Sequence, residues 1–249
     1  GRSVAKLCAE HMKKVSLELG GHCPLIVSDR CHLEEAVRGA VRRTYRNMGQ
    51  ICIAINRIYV QENVYDRFLS SFVEQTKKLV IANGLENPAA DLGPMANRGG
   101  VEKTLAHIND AKSKGAQVVY GGGKPAGKQY EKGYFFTPTV ITEVTHDMLV
   151  MQEESFGPIV GVMPYRTIGD AIELANSTRY GLASYVYTDD LHEADEFIRR
   201  LEPGKTEDVD LVVGESPGAK AKTGGARAVS LRLHVPRLLK IQDDPTKTP

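Results

Sequence analysis

The sequence predicts an α/β fold with an open, largely parallel sheet, and three observations lead to it. Short apolar runs alternate with amphipathic segments of helical period along most of the 249 residues, as in proteins whose parallel strands are joined by helices. Hydrophobic residues make up 41% of the chain, which is enough for an extensive core. The length permits one large domain or two ordinary ones of roughly 100–150 residues each.

The strands are predicted from short apolar runs rich in β-branched and aromatic residues, which suit a pleated, buried surface. In chain order they lie at 24–27, 55–60, 116–120, 135–141, 158–165 and 182–188. The helices are predicted from apolar residues that recur at i, i+3 and i+4. In chain order they lie at 33–45, 64–80, 100–114, 168–175 and 191–201. Ser28 and Asp29 follow the first strand, and we expect them to cap the first of these helices.

The charge balance and the absence of long apolar runs exclude several classes of protein. Lys and Arg number 32 against 31 Asp and Glu, a net charge of +1, whereas a nucleic-acid-binding protein needs a basic excess to neutralise phosphates. No stretch approaches the ~20 apolar residues that cross a bilayer, and the first residues are not a secretory signal. We therefore expect a soluble, cytoplasmic protein with no nucleic-acid or membrane partner. Since the chain begins without Met, we expect Gly1 to mark a fragment boundary.

The cysteines predict reduced thiols and no metal site. Four cysteines lie in the first 52 positions, at Cys8, Cys23, Cys31 and Cys52, and a secreted disulfide framework would be denser and spread along the chain. His22 and His32 each adjoin a cysteine, but structural zinc sites use ligand pairs two to four residues apart. A glycine-rich loop at 121–129 approaches a phosphate-loop pattern, yet it lacks the Ser or Thr that binds magnesium, so we expect a surface turn.

Cys52 is the first candidate for covalent chemistry. It lies three residues after Gly49 in RNMGQICIAINR, and a residue without a side chain lets a ligand approach the backbone. A thiolate is the strongest nucleophile that a protein offers near neutral pH, and nearby peptide N–H groups activate it. Taken alone, Cys52 fits a small buried hydrophobic residue better than a nucleophile. Its chemical role therefore depends on a partner base.

Two acidic segments supply candidate partners. Glu18, in SLELGG, lies between Leu17 and Leu19, and a carboxylate in an apolar setting binds protons more tightly, which suits a general base. In ESFGP, Glu154 is close to Phe156, so the carboxylate could bind a ribose hydroxyl while the ring packs on a flat cofactor. Each segment also has a plainer interpretation, as a solvated carboxylate at the end of a helix, strand or loop.

Together these segments resemble one family, the NAD(P)-dependent aldehyde dehydrogenases. The matching stretches are LELGGHCP at 17–24, RNMGQICIAINRIYV at 46–60 and EESFGPIV at 153–160. They occur in the family's order, and the resemblance extends from Gly1 to about Gly204. Glu18 and Cys52 are 34 positions apart, which agrees with the family's separation of base and nucleophile. Three ordered motifs at consistent separations form a specific signal.

The resemblance implies a role for each candidate residue. Cys52 corresponds to the nucleophile that attacks the aldehyde carbon, and its backbone N–H to half of the oxyanion hole. Glu18 corresponds to the base that activates water to hydrolyse the resulting thioester. Glu154 corresponds to the carboxylate that binds the nicotinamide ribose of NAD or NADP, with Phe156 beside it and Gly20 in the same cofactor site. No metal is implied.

The resemblance also implies a division of the chain into three parts. Residues 1–20 are expected to be a remnant of the cofactor-binding Rossmann domain, most of which the chain lacks, and residues 21–204 the catalytic domain. Residues 205–249 contain no aromatic residue and lack the family's usual continuation, so we expect an atypical, partly disordered C-terminal segment.

The expected function is oxidation of an aldehyde, succinate semialdehyde among the candidates, to a carboxylic acid with NAD or NADP as part of a longer enzyme. Arg46 or Arg57 could pair with a substrate carboxylate, although a structural ion pair is the plainer interpretation of both. Relatives in the family imply a homo-oligomer. Two other functions stay open: a catalytically silent fragment or pseudoenzyme that acts by association, and a cofactor-independent esterase that uses Cys52.

Overall fold

Strands and helices alternate along the part of the chain that the computed structural model describes, residues 1–202, 209–210 and 232–233. The strands are β1 (Cys23–Val27), β2 (Ile55–Gln61), β3 (Gln117–Tyr120), β4 (Thr139–Thr142), β5 (Ile159–Tyr165), β6 (Tyr185–Tyr187), β7 (Val209–Asp210) and β8 (Arg232–Leu233). The helices are α1 (Arg2–Glu10), α2 (Leu33–Tyr45), α3 (Tyr65–Lys77), α4 (Arg98–Ser113), α5 (Leu149–Gln152), α6 (Ile168–Asn176) and α7 (Leu191–Arg200).

Six strands form one open sheet in the order β3-β4-β5-β2-β1-β6. Only β3 runs antiparallel to its neighbour within this sheet, and the other pairs are parallel. The strands β1, β4 and β6 bury every residue, which requires helices on both faces of the sheet. The predicted α/β fold with an open, mostly parallel sheet is therefore confirmed.

Several boundaries differ from those expected, each for a local reason. The strand expected at 135–141 begins only at Thr139, since Pro138 has no N–H to donate to a neighbouring strand. Helix α5 spans four residues, which is too short for a helical period to be visible in the sequence. Ser28 does not cap α2; its hydroxyl donates instead to Glu193 Oε2 at 2.7 Å, and α2 begins after His32 without a side-chain cap.

A buried arginine ties β2 to the segment that precedes β1. Arg57 is 1% exposed, and its Nε and Nη2 both donate to the carbonyl of His22, at 3.2 and 2.8 Å. Nη2 and Nη1 also donate to the carbonyls of Ala175 and Leu174, which lie in the last turn of α6, where a cation is favoured by the helix dipole. Within the described part of the chain, Arg57 donates to neutral oxygen atoms rather than to carboxylates.

Replacing Arg57 by alanine is expected to destabilise the fold strongly. The carbonyls of His22 and Ala175 would lose their donors in a buried site, at a cost of about 3 kcal/mol or more. Urea unfolding followed by circular dichroism measures this loss. The control is the exposed Arg67→Ala, which should change the free energy of unfolding by less than about 0.5 kcal/mol. Equal losses in the two variants would contradict this role of Arg57.

Three histidines should make the fold sensitive to mild acid. Burial lowers the pKa of all three, His22, His107 and His146, and it lowers the pKa of His22 well below its usual range. The Arg57 guanidinium lowers the pKa of His22 and His146 further. Below about pH 6.5 the unfolded chain therefore binds protons that the folded chain does not, so stability falls as the pH falls.

Below pH 6.5, each histidine that stays neutral in the fold is expected to lower the free energy of unfolding by up to about 1.4 kcal/mol per pH unit. Urea unfolding at pH 7.5 and pH 5.5 measures it, in a range where carboxylates stay ionised. His22→Asn should reduce the difference between the two pH values, and substitution of the exposed His192 by Asn is the control. A difference that is the same in wild type and His22→Asn would show that His22 does not contribute.

Candidate active site

The three sequence motifs precede three neighbouring parallel strands. Gly20 lies before β1, Cys52 before β2 and Glu154 before β5, and the sheet order places β2 between β1 and β5. Because parallel strands begin at the same edge of a sheet, the motifs meet at the amino-terminal edge. Ligands of open α/β sheets usually bind at the opposite, carboxyl-terminal edge.

Glu154 contacts the glycines that precede β1. Its Oε1 accepts a hydrogen bond from the N–H of Gly21 at 3.0 Å, across 133 positions of sequence. A Cβ atom on Gly20 would lie 2.5 Å from Oε2 of the same carboxylate, so a side chain at Gly20 would displace Glu154. The backbone N–H of Glu154 makes a longer contact of 3.4 Å with the hydroxyl of Tyr180. The first and third motifs are therefore joined directly.

Cys52 lies against the same glycine segment. A Cβ atom on Gly21 would overlap the carbonyl oxygen of Cys52, so glycine is needed for the two segments to pack. The thiol of Cys23 donates to that carbonyl with a separation of 3.6 Å. These contacts bring the second motif to the first, and the sequence-predicted residues Gly20, Cys52 and Glu154 share one site.

The turn before Cys52 has an unusual backbone. Asn47, Met48 and Gly49 have φ angles of 53°, 60° and 68°, and two consecutive non-glycine residues in the left-handed region store strain of a kind that clusters at functional sites. The Asn47 amide donates to the carbonyl of Gln50, and the Gln50 amide donates to the carbonyl of Asn47. At Gly49, a Cβ atom would overlap the carbonyl oxygen of Gly157. The turn is thus held both internally and by the loop that carries Glu154.

The cysteines differ in their exposure and acidity. All four are free, and Cys52 is partly exposed. Burial raises the pKa of Cys23 to about 12 and that of Cys31 to about 12, so both remain protonated thiols near neutral pH. Neither is therefore suited to act as a nucleophile. Cys52 is the partly exposed thiol at the edge where the motifs meet.

Glu18 does not lie in the apolar environment that its neighbours suggest. Its side chain is exposed, and Leu17 and Leu19 are 39% and 51% exposed. None of residues 1–20 is buried against the rest of the described chain. The role of Glu18 stays a prediction, because an apolar surface around it would have to come from another polypeptide segment.

Phe156 presents an aromatic surface on the Glu154 side of the site. Its ring is 41% exposed, and its φ of 50° is rare for a bulky residue. The unusual backbone turns this ring outward while Ser155 before it is fully buried. An exposed ring close to a carboxylate is an arrangement that can accept a flat, hydroxylated ligand.

Arg46 and Arg57 were both considered as partners of a substrate carboxylate, and neither is positioned for that role. Arg57 is buried and donates to carbonyl groups, so its donors are engaged within the fold, and neutral acceptors take the place of the expected ion pair. Arg46 lines a groove between α2 and α3 together with Tyr45 and Lys78.

Sequence reasoning missed Tyr180 and His107. Their contacts with residues 154–155 join positions far apart in the chain.

Comparison with known proteins identifies the family of this chain. A family model described as "Aldehyde dehydrogenase family" matches residues 1–228. The chain belongs to the aldehyde dehydrogenase family. The match extends beyond Gly204, where we expected the resemblance to end. The predicted C-terminal segment, 205–249, lies outside the described residues apart from β7 and β8, which pair antiparallel.

Relatives within the aldehyde dehydrogenase family include semialdehyde dehydrogenases. The chain is 40% identical over 232 residues to the succinate-semialdehyde dehydrogenase [NADP(+)] of Escherichia coli, covering 93% of this chain and 46% of that protein. It is 42% identical over 231 residues to the glutarate-semialdehyde dehydrogenase of Pseudomonas aeruginosa, with the same coverage of 93% and 46%. The chain thus spans less than half the length of these relatives.

Solved aldehyde dehydrogenase structures share the fold. A betaine aldehyde dehydrogenase from Staphylococcus aureus in complex with NAD+ aligns with a TM-score of 0.80 at 34% identity, covering 92% of this chain and 44% of that one. An NADP-dependent enzyme from Escherichia coli aligns with a TM-score of 0.79 at 40% identity, covering 92% and 46%. The similarity therefore includes the arrangement of the sheet and not only the motifs.

Metal-binding clusters and membrane-spanning helices are both absent from the described part of the chain. No group of three or more His, Cys, Asp or Glu side chains there is arranged to hold a metal ion. No helix among those same residues is long and apolar enough to span a membrane.

Proposed function

We propose that this chain carries the acyl-transfer half of an NAD(P)-dependent aldehyde dehydrogenase, with Cys52 as nucleophile and Glu18 as general base. The observation that carries the proposal is the junction at the amino-terminal edge of the sheet. There the Glu154 carboxylate bonds to Gly21 N–H, and Gly21 packs on the carbonyl of Cys52. The backbone of Cys52 and the carboxylate of Glu154 thereby contact the same glycine segment.

In the proposed reaction, Cys52 forms and releases an acyl group. The Cys52 thiolate adds to the aldehyde carbon, and the resulting alkoxide is stabilised by the Cys52 backbone N–H as one donor of an oxyanion hole. Loss of hydride from that carbon converts the thiohemiacetal into a thioester. Glu18 then takes a proton from a water molecule, which attacks the thioester carbon and releases the carboxylic acid and the Cys52 thiol.

The residues present fit the cofactor that this reaction requires. NAD or NADP, when bound, would accept the hydride. Glu154 would bind a hydroxyl of the nicotinamide ribose, and Phe156 would pack beside the cofactor. A Cβ atom on Gly20 would meet the Glu154 carboxylate at 2.5 Å, so glycine at this position lets the carboxylate stay where it would bind the ribose.

The exposure of the first twenty residues supports their assignment to a cofactor-binding domain. Val4, Leu7 and Met12 are 48%, 59% and 93% exposed, which is a large apolar surface for a short segment. A neighbouring domain would cover this surface and would also supply the apolar surroundings of Glu18. Residues 21–204 would then form the catalytic domain of a longer, cytoplasmic homo-oligomeric enzyme.

We propose a semialdehyde as the substrate, and the relatives support it. The Escherichia coli and Pseudomonas aeruginosa relatives at 40% and 42% identity are named for succinate semialdehyde and glutarate semialdehyde. These semialdehydes carry a carboxylate at the end opposite the aldehyde. Residues other than Arg57 would have to bind that carboxylate, because the donors of Arg57 are occupied.

An absorbance assay tests the proposal against its alternatives. The protein is incubated with succinate semialdehyde and either NAD+ or NADP+, and reduced cofactor is followed. Aldehyde-dependent reduction supports the dehydrogenase. Hydrolysis of an activated ester without cofactor, lost in Cys52→Ala, together with no reduction, would replace the proposal with the esterase. If a folded chain shows neither activity, the remaining interpretation is a catalytically silent fragment.

A further inference from the structure

The loop at residues 153–158, here named the Glu154 loop, is held by contacts that the proposed reaction does not use. Its carboxylate end is tied to Gly21, and its Gly157 carbonyl packs against Gly49. Between these two points lies Ser155, which is 0% exposed. A fully buried polar side chain needs a hydrogen-bonding partner, because leaving it unpaired is costly.

The partner of Ser155 is a buried histidine on α4. His107 Nδ1 and Ser155 Oγ are 3.1 Å apart, and His107 is 2% exposed. Burial lowers the pKa of His107, with a further lowering from Lys103, so the ring is neutral near pH 7 and joins Ser155 through one uncharged hydrogen bond.

A second residue of the same helix face supports the Glu154 loop. Thr104 is three residues before His107 and therefore lies on the same side of α4. A Cβ atom on Gly157 would overlap the Thr104 hydroxyl, and that hydroxyl donates to the carbonyl of Gly100 at 2.8 Å. Helix α4 thus contacts the loop at two points, on either side of Phe156.

The direction of the Ser155 side chain sets the directions of its neighbours. With Ser155 turned into the protein toward His107, Glu154 reaches the N–H of Gly21 and Phe156 turns outward to 41% exposure. Apolar residues in place of Ser155 and His107 would fill the same buried volume, but they would not fix the direction of each side chain, because apolar contacts are not directional. The hydrogen bond of Ser155 with His107 therefore adds a directional contact to those that Glu154 makes with Gly21 and Tyr180.

We propose that His107 is a positioning residue that acts through Ser155 to hold the Glu154 carboxylate against Gly21, in the orientation that binds the cofactor ribose. The link to the cofactor ribose rests on the proposed function, whereas the hold on Glu154 depends only on contacts within this chain.

The test measures the amide proton of Gly21, which reports the position of Glu154 without any cofactor. Hydrogen exchange of Gly21 is followed by NMR in the full chain, in wild type and in His107→Leu, Ser155→Ala and the double variant. We expect each single variant to speed Gly21 exchange about tenfold, and the double variant to add little, since both remove one hydrogen bond. His107→Asn, which places an amide atom near the position of Nδ1, should stay within about threefold of wild type.

Controls separate positioning from a general loss of stability. Ile108→Val trims a buried neighbour of His107 on α4 and should leave Gly21 exchange unchanged once global unfolding is accounted for. Unchanged exchange in both single variants, an equal rise in Ile108→Val, or failure of His107→Asn to restore slow exchange would overturn the positioning role. If His107→Leu does not fold, Ser155→Ala decides.

A fluorescence titration with NADH separates this inference from the proposed function. Wild type should bind NADH, and His107→Leu and Glu154→Gln should weaken binding to a similar degree, about tenfold. Wild type that binds no NADH or NADPH overturns the proposed function, and the Gly21 exchange still decides whether His107 holds Glu154. Binding unaffected by His107→Leu overturns the link to the cofactor.

Discussion

Cys52→Ala is expected to lower aldehyde-dependent formation of NADH or NADPH by at least about 1,000-fold, because no other side chain at the site can form the thioester. Cys23 packs beside the Cys52 carbonyl, but its burial keeps it protonated, with a pKa of about 12. It therefore cannot substitute for Cys52. The measurement is the initial rate of cofactor reduction with succinate semialdehyde, together with the intact mass of the protein after mixing.

The control for this prediction is Cys31→Ala. Cys31 is partly buried beyond the far end of β1, beside Asp189 and Glu193, and its removal should leave the rate within about threefold of wild type. A Cys52→Ala protein that is folded and still reduces cofactor at a comparable rate would remove Cys52 from the mechanism. Cys52→Ser keeps the size of the side chain and serves as the second variant if the alanine protein is unstable.

Glu18→Gln is expected to separate the two halves of the reaction. Acylation of Cys52 does not require the base, so one equivalent of reduced cofactor should form rapidly. Hydrolysis of the thioester should then slow by about 100- to 10,000-fold, the usual contribution of a general base. The acyl-enzyme should accumulate on Cys52 and be visible as one acyl group in the intact mass.

Glu10→Gln is the matched control, because Glu10 is an exposed carboxylate in the same N-terminal segment. It should show neither the burst nor the accumulated adduct. Steady turnover by Glu18→Gln at the wild-type rate would eliminate Glu18 as the base. Loss of the burst as well would assign Glu18 to a step before acylation.

The local sequence predicts most of the elements because it depends on neighbouring residues. The apolar period of 33–45 predicts α2 with the bounds observed, Leu33–Tyr45, and the run at 158–165 predicts β5 to within one residue. The four-residue α5 and the late start of β4 were not predicted, because neither leaves a periodic pattern. The exposure of Glu18 was also not predicted, since Leu17 and Leu19 alone do not reveal what covers them.

The order and spacing of three motifs identify the family without any coordinates, and they mark the cysteine and the carboxylates on which the chemistry is proposed to depend. That the motifs meet is visible only in the folded chain. They do so because β1, β2 and β5 are adjacent and parallel, which brings Gly20, Cys52 and Glu154 to one edge. The folded chain also shows which polar residues are structural. The hydrogen bonds of Arg57 to His22 and of His107 to Ser155 join segments 35 and 48 positions apart, and a local pattern carries no record of partners so distant.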